Sequence, residues 1–155
     1  MKRISALILL MFLLTTYGMA ENSETTSSDK KLSKVIVKIS KFENSEGVVF
    51  CHIYQPNKGF PTESKNAMKW DSSSVCNEKA TIIFDSIPYG TYAITTHHDE
   101  NLNIKMDRNW LGMPKEGFGI SNNVKIVLSA PDFDECKFEV DSSETVVEIF
   151  MKYIF

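Results

Sequence analysis

Beyond its first twenty residues the chain has no long apolar run, no CxxC pair, no basic surplus and almost no helical spacing. Each absence excludes something. Lys and Arg total 17 against 20 Asp and Glu; phosphate neutralisation needs a basic face, so nucleic acid is not expected as a partner. Without CxxC spacing, the three cysteines Cys51, Cys76 and Cys136 do not read as a zinc or dithiol redox motif. The glycine-rich stretch "GMPKEGFGISNN" (Gly112 to Asn123) has neither the G-x-S-x-G nucleophile elbow nor the Walker spacing. It also lacks a strand-to-helix step, so no helix dipole strengthens its amides.

What is present begins with "MKRISALILLMFLLTTYGMA". Lys2 and Arg3 open it, an apolar run extends from Ile4 to Leu14, and Gly18 and Ala20 supply small residues, which is the layout of a secretory signal cleaved after Ala20. A membrane span needs about 18 to 20 apolar residues, and Thr15, Thr16 and Tyr17 end this run early. Residues 1–20 are therefore expected to be a signal peptide, 21–33 a flexible polar linker, and 34–155 one domain. The product is expected to be periplasmic or secreted, with no membrane contact after cleavage. Removing residues 1–20 takes away Lys2 and Arg3 but no acid, which deepens the negative charge.

Period-two alternation recurs along the rest of the chain. Val35, Val37 and Ile39 share one face of "KVIVKISKF", and Val49, Cys51 and Ile53 share one face of "GVVFCHIYQ". Similar runs are "ATIIF" from Ala80, "TYAITTHH" from Thr91, "NVKIVLS" from Asn123, "CKFEV" from Cys136 and "TVVEIFMKYIF" to the end. The best short helix candidate is Thr62 to Trp70, with Thr62 as cap. About seven short strands and no long helix predict an all-β, immunoglobulin-like or transthyretin-like antiparallel sandwich. The last run also alternates as barrel strands do, but "CKFEV" and "ATIIF" are too short for lipid-facing bands. An oxidising compartment permits disulfides, and Cys51 with Cys76, which flank one loop, is the pairing expected.

"FDSIPYGTYAI" (Phe84 to Ile94) resembles the strand-end turn of transthyretin-like and carboxypeptidase-regulatory-like domains. There Pro88 fixes φ, Gly90 permits positive φ, and Tyr92 packs its ring while its hydroxyl anchors backbone. With "GFP" (Gly59 to Pro61), "HDEN" (His98 to Asn101), Asp107, "LGMPKEGFGISNN" (Leu111 to Asn123) and "PDFDECKFEV" (Pro131 to Val140), the chain over about residues 34 to 153 resembles DUF2141, a family of uncharacterised secreted bacterial proteins. The resemblance implies an exported β-sandwich with no established activity. Family members read H-D-x-N-x-N-G-x-x-D, whereas this chain has Ile104 at the glycine position.

The loop after His97 carries the most chemistry. Asp99, Asn101, Asn103, the Lys105 carbonyl and Asp107 stand at positions 1, 3, 5, 7 and 9 of a calcium-loop count. Position 12 is Trp110 rather than a bidentate glutamate. The alternative is a turn whose Asp and Asn side chains satisfy backbone N–H groups. His98, Tyr92 and Glu116 are expected to anchor loops, and Trp110, Phe118, Ser121 and Asn122 to form a ligand surface. Phe60, Trp70, Trp110 and Phe118 all fall in predicted loops; clustered on the surface, they would make a platform for a sugar ring or an apolar side chain. The leading expectation is thus a non-enzymatic binding or structural module, calcium-stabilised or self-capped, with a protein or carbohydrate ligand. The alternative is a metal-dependent hydrolase using His98, Asp99 and Glu116; a zinc shared by His52, His98 and Asp99 belongs to the same class.

Overall fold

The alternating valines and isoleucines bury one side chain in two, and two sheets face each other across them. The structure is a computed structural model that describes residues 30–56, 58–126 and 129–154. Strand β1 (Leu32–Ser40) lies between β4 (Lys79–Pro88), antiparallel to it, and β8 (Glu144–Phe150), parallel to it. The second sheet runs β3 (Lys69–Ser74), β2 (Val48–Tyr54), β5 (Gly90–Asp99), β6 (Phe118–Ile120), and β7 (Phe138–Val140) also pairs with β5. This is the expected all-β sandwich, with eight strands among the described residues where about seven are expected, and one parallel pair among antiparallel ones.

Val35, Val37 and Ile39 of β1 meet Val49, Cys51 and Ile53 of β2, and all are essentially buried. Ile82, Phe84, Tyr92, Ile94, Val147 and Ile149 complete the layer between the sheets. Burying each such side chain contributes about 1.5 to 3 kcal/mol. A smaller cluster sits on the opposite face of the larger sheet. There Ala93, Ile120 and Cys136 are covered by Phe60, Val124, Ile126 and Phe133, the last from the short helix α1 (Phe133–Cys136).

Tyr92 closes the corner between β4 and β5. Its hydroxyl donates to the Pro88 carbonyl at 2.8 Å, across Gly90 at φ 154°. Burial raises the phenol above its ordinary range, so it remains a donor.

Several elements differ from the sequence reading. The Thr62–Trp70 segment is a single 3-10 turn at Ser64–Asn66, after which Lys69 and Trp70 already belong to β3. "NVKIVLS" is not a strand over residues 124–126; the strand partner of β5 is Phe118–Ile120, where Gly119 lets Thr96, Ile149 and Met151 pack closely. Strand β1 starts at Leu32, inside the predicted linker, and Ser33 is buried. The signal segment lies outside the described residues.

The expected Cys51–Cys76 disulfide is a correction. All three cysteines are free thiols. Cys51 faces the core opposite Asp71, while Cys76 lies two residues past Ser74, the partner of Val48. Five residues of strand separate their levels, roughly 16 Å, far beyond disulfide reach. Cys76 instead opens an exposed two-residue hairpin, in which Asn77 and Glu78 both have positive φ and Cys76 and Lys79 exchange backbone hydrogen bonds.

Candidate functional site

Strand alternation that buries Val49, Cys51 and Ile53 must turn Phe50 and His52 to the other face. The register then aligns two cross-strand rows there. One reads Trp70, His52, Thr95, Ile120; the next reads Ser72, Phe50, His97, Phe118. Trp70 lies 6.1 Å from Phe50 and 6.4 Å from His52, centroid to centroid, and Phe50 stacks on His97 at 6.2 Å. These are ordinary separations for interacting rings. Trp70 is 61% exposed, so the patch is open to solvent.

Loops raise walls around this patch. Ile104, Arg108, Leu111 and Met113 bound one side, and Pro61 and Lys65 another, leaving a groove of about 1230 Å³. Small-ligand pockets are typically about 300 to 1,000 Å³, so this one has room for an extended ligand. Burial, reinforced by the neighbouring His97, holds His52 below the usual histidine range. It is therefore neutral at pH 7, with one ring nitrogen donating and the other accepting.

His97 is fixed from behind. Its Nε2 lies 2.9 Å from Glu116 Oε2, which also accepts the Asp107 N–H at 2.8 Å. Glu116 thereby clamps the 100–116 loop to β5. Its other oxygen, Oε1, is buried without a hydrogen-bond partner among the described residues.

His98 points into the opposite side of the sheet. Its Nε2 lies 2.7 Å from the Glu46 carbonyl, which can only accept, so Nε2 carries the proton. In the neutral ring Nδ1, 2.8 Å from Tyr153 Oη, then accepts the Tyr153 hydroxyl. Burial pushes the Tyr153 phenol up to about 12, which keeps it protonated for that role. His98 thus ties the β1–β2 loop and the C-terminal segment to β5. Gly117 makes room, since a Cβ there would fall 2.5 Å from the Tyr153 ring.

The hydrolase grouping does not assemble, because adjacent strand residues face opposite ways. Glu116 meets His97, while His98 meets Glu46 and Tyr153. The same alternation rules out the His52–His98 zinc: His52 lies on the groove face and His98 on the core face. Among the described residues, no three or more His, Cys, Asp or Glu side chains are grouped to hold a metal ion.

The loop of alternating acids and amides is bonded to itself. Asp99 is fully buried; its Oδ1 accepts the Asn103 N–H at 3.1 Å and its Oδ2 the Ile104 N–H at 2.7 Å. Asn101 Oδ1 accepts the Asn103 N–H, and Asn103 Oδ1 accepts the Lys105 N–H. Both amide nitrogens donate to Asp107, Asn101 to Oδ2 at 2.8 Å and Asn103 to Oδ1 at 3.2 Å. Lys105 enters this bonding through its N–H. Ile104 adopts φ 63°, so the tight turn forms even where the family pattern has glycine.

The four expected surface residues separate. Trp110 is 90% exposed at a hairpin tip, and Phe118 is half-buried at the groove wall. Ser121 is a correction: it is fully buried, its Oγ accepting the Ile94 N–H at 3.0 Å and donating to the Cys136 carbonyl at 2.6 Å. Asn122 is exposed, but its amide donates to the Glu135 and Lys137 carbonyls. The sequence reading does not single out Phe50, His52 and His97 as a shared outer face, although the period-two spacing of Phe50 and His52 against Val49, Cys51 and Ile53 carries the signal.

No curated protein and no solved structure matches the chain. The family model for DUF2141, described as an uncharacterized protein conserved in bacteria, matches residues 37–148, well over half of the sequence and both sheets of the sandwich. The chain therefore belongs to the DUF2141 family.

Proposed function

We propose that this protein is an exported, non-catalytic binding module that takes a carbohydrate chain in the groove on the outer face of its larger sheet. One observation carries the reading: the continuous patch of Trp70, Phe50, His52 and His97, solvent-open and walled by polar and apolar loop residues. A sugar ring has an apolar face and a polar rim. Aromatic rings accept the face, while His52, Thr95, Lys65 and Arg108 offer hydrogen bonds to the rim. The signal-like N-terminus supports export.

The non-catalytic part is supported by the divergence of His98, Asp99 and Glu116. For the loop we favour the self-capped turn over calcium. Both asparagine carbonyl oxygens already accept backbone N–H groups, and the amide nitrogens, which cannot ligate a cation, point at Asp107.

Titration calorimetry with short cello-, chito- and xylo-oligosaccharides tests the reading. At least one series is expected to bind and to be recovered intact. Trp70→Ala and Phe50→Ala are expected to weaken that binding at least tenfold, and Trp110→Ala to leave it unchanged. Equal binding by the Trp70 variant, or no binding by any series, overturns the proposal.

A further inference from the structure

One wall of the groove ends in a tip, Trp110, that does not line it. Between β5 and β6, Asp107 to Lys115 fold back on themselves as a small hairpin. The Asn109 N–H donates to the Met113 carbonyl at 2.9 Å, the Gly112 N–H to the Asn109 carbonyl at 2.9 Å, and the Lys115 N–H to the Asp107 carbonyl at 2.8 Å. Asn109 Oδ1 accepts the Leu111 and Met113 N–H groups, each at 3.0 Å, and Arg108 Nη1 donates to the Gly112 carbonyl at 2.8 Å. Gly112, at φ 79°, supplies the left-handed position of a three-residue hairpin loop. The turn is therefore built entirely by backbone and by Asn109 and Arg108. Its apex residues, Trp110 and Leu111, take no part in these bonds through their side chains.

Those apex side chains are nonetheless among the most apolar available, and they stand in water at 90% and 61% exposure. Leu102 and Ile104 on the adjoining loop are likewise exposed. Three exposed cations, Lys105, Arg108 and Lys115, lie on the same loop and hairpin. The one acid within residues 101–115 is Asp107, whose carboxylate is occupied by the Asn101 and Asn103 amides. The chain as a whole has an excess of acid, 20 against 17. Exposed cations flanking an apolar apex in the chain, on an otherwise anionic molecule, complement a surface whose outer layer is negative and whose interior is hydrocarbon. Tryptophan prefers that boundary, and lysine and arginine can bury their stems while their charged ends remain among headgroups.

We propose that the Trp110–Leu111 hairpin docks the protein onto an anionic lipid surface. The hairpin and its adjoining loop share Ile104, Lys105, Arg108 and Leu111 with the groove wall, whereas Trp110 and Leu102 do not line the groove, so Trp110 is the residue that separates this inference from the carbohydrate reading. It also departs from the expectation that no membrane contact follows signal cleavage: the contact is peripheral and uses a loop tip.

The chain has two tryptophans, so Trp70→Phe leaves Trp110 as the sole indole reporter. Its emission reads the tip itself, whatever the apolar N-terminal run does. With vesicles of phosphatidylglycerol and phosphatidylcholine at low salt, the emission is expected to shift to the blue and the protein to co-sediment. Phosphatidylcholine alone is expected to give at least tenfold weaker binding. Trp110→Ser with Leu111→Ser is expected to abolish the gain from anionic lipid. Lys105→Glu with Arg108→Glu is expected to weaken it several-fold, as added salt does. Co-sedimentation of the unsubstituted protein and of its Trp110→Ser, Leu111→Ser variant repeats the test with Trp70 intact. An unshifted Trp110 emission, equal sedimentation with and without the apex residues, or a blue shift without lipid that tracks dimer formation each overturns the proposal, the last in favour of a second copy.

Discussion

At the residue scale, burial decides which groups can react. Cys51 is buried and its thiol is pushed far above its ordinary range, chiefly by desolvation and further by Asp71. Cys136 is buried and pushed up to about 11. Cys76 is exposed at its hairpin. Labelling with a maleimide is therefore expected to modify one thiol in the native protein, at Cys76, and all three after denaturation without reductant. A Cys76→Ser variant that still labels at the native rate would refute the assignment. His52 provides a pH signature. Its folded value lies below the ordinary histidine value of about 6.5, so the unfolded chain binds the extra proton more readily. The stability from keeping His52 neutral is complete above about pH 6.5 and declines as pH falls below it. Urea unfolding between pH 7 and 5 is expected to show this decline, and His52→Gln to flatten it.

The element scale is where local sequence and tertiary demand compete. Ile104 is a β-branched residue held at φ 63°, a conformation costing about 1 to 2 kcal/mol. It is tolerated because the Asp99 carboxylate holds its N–H at 2.7 Å while its side chain, 76% exposed, meets little. Ile104→Gly is expected to raise stability by about 1 kcal/mol, read as a higher melting temperature. Chelator or added calcium is expected to leave that temperature unmoved in both proteins; a rise with calcium would reinstate the cation-bound loop. The β5–β6 pairing shows the same competition. The apolar alternation of "NVKIVLS" promises a strand, yet the partner is the three-residue Phe118–Ile120, because Gly119 alone fits against Thr96 and Ile149. Ser121 then extends the contact by side-chain bonds to Ile94 and Cys136.

For the whole molecule, the residues after β8 act as the closure. The Met151 N–H donates to the Ser40 carbonyl of β1, and Lys152 exchanges backbone bonds with Phe118 of β6, so this short segment joins the two sheets. Tyr153 adds its bond to His98, and Met151 is buried in the shared core. Ending the chain at Phe150 removes one buried methionine and seven hydrogen bonds, among them those from the Thr96 hydroxyl to Met151 Sδ and from the Lys152 ammonium to the Asn123 and Val124 carbonyls, and leaves His98 without its donor. That truncation is expected to lower stability by about 4 kcal/mol, measured by urea denaturation. An unchanged midpoint would show that the sheets close without it.

The sequence by itself determined the layered β architecture, the alternate residues that fill its core, the Tyr92 corner and the family. All of these rest on period-two patterning and short turn motifs, which are local along the chain. Only the tertiary structure decided which strands are neighbours, and the rest follows from that. Register set Trp70 beside His52 and Phe50 beside His97, alternation sent His97 to Glu116 and His98 to Tyr153, and strand length kept Cys51 from Cys76. Groups distant in sequence meet through non-local pairing, and one residue's shift in that pairing would turn each of them to the other face.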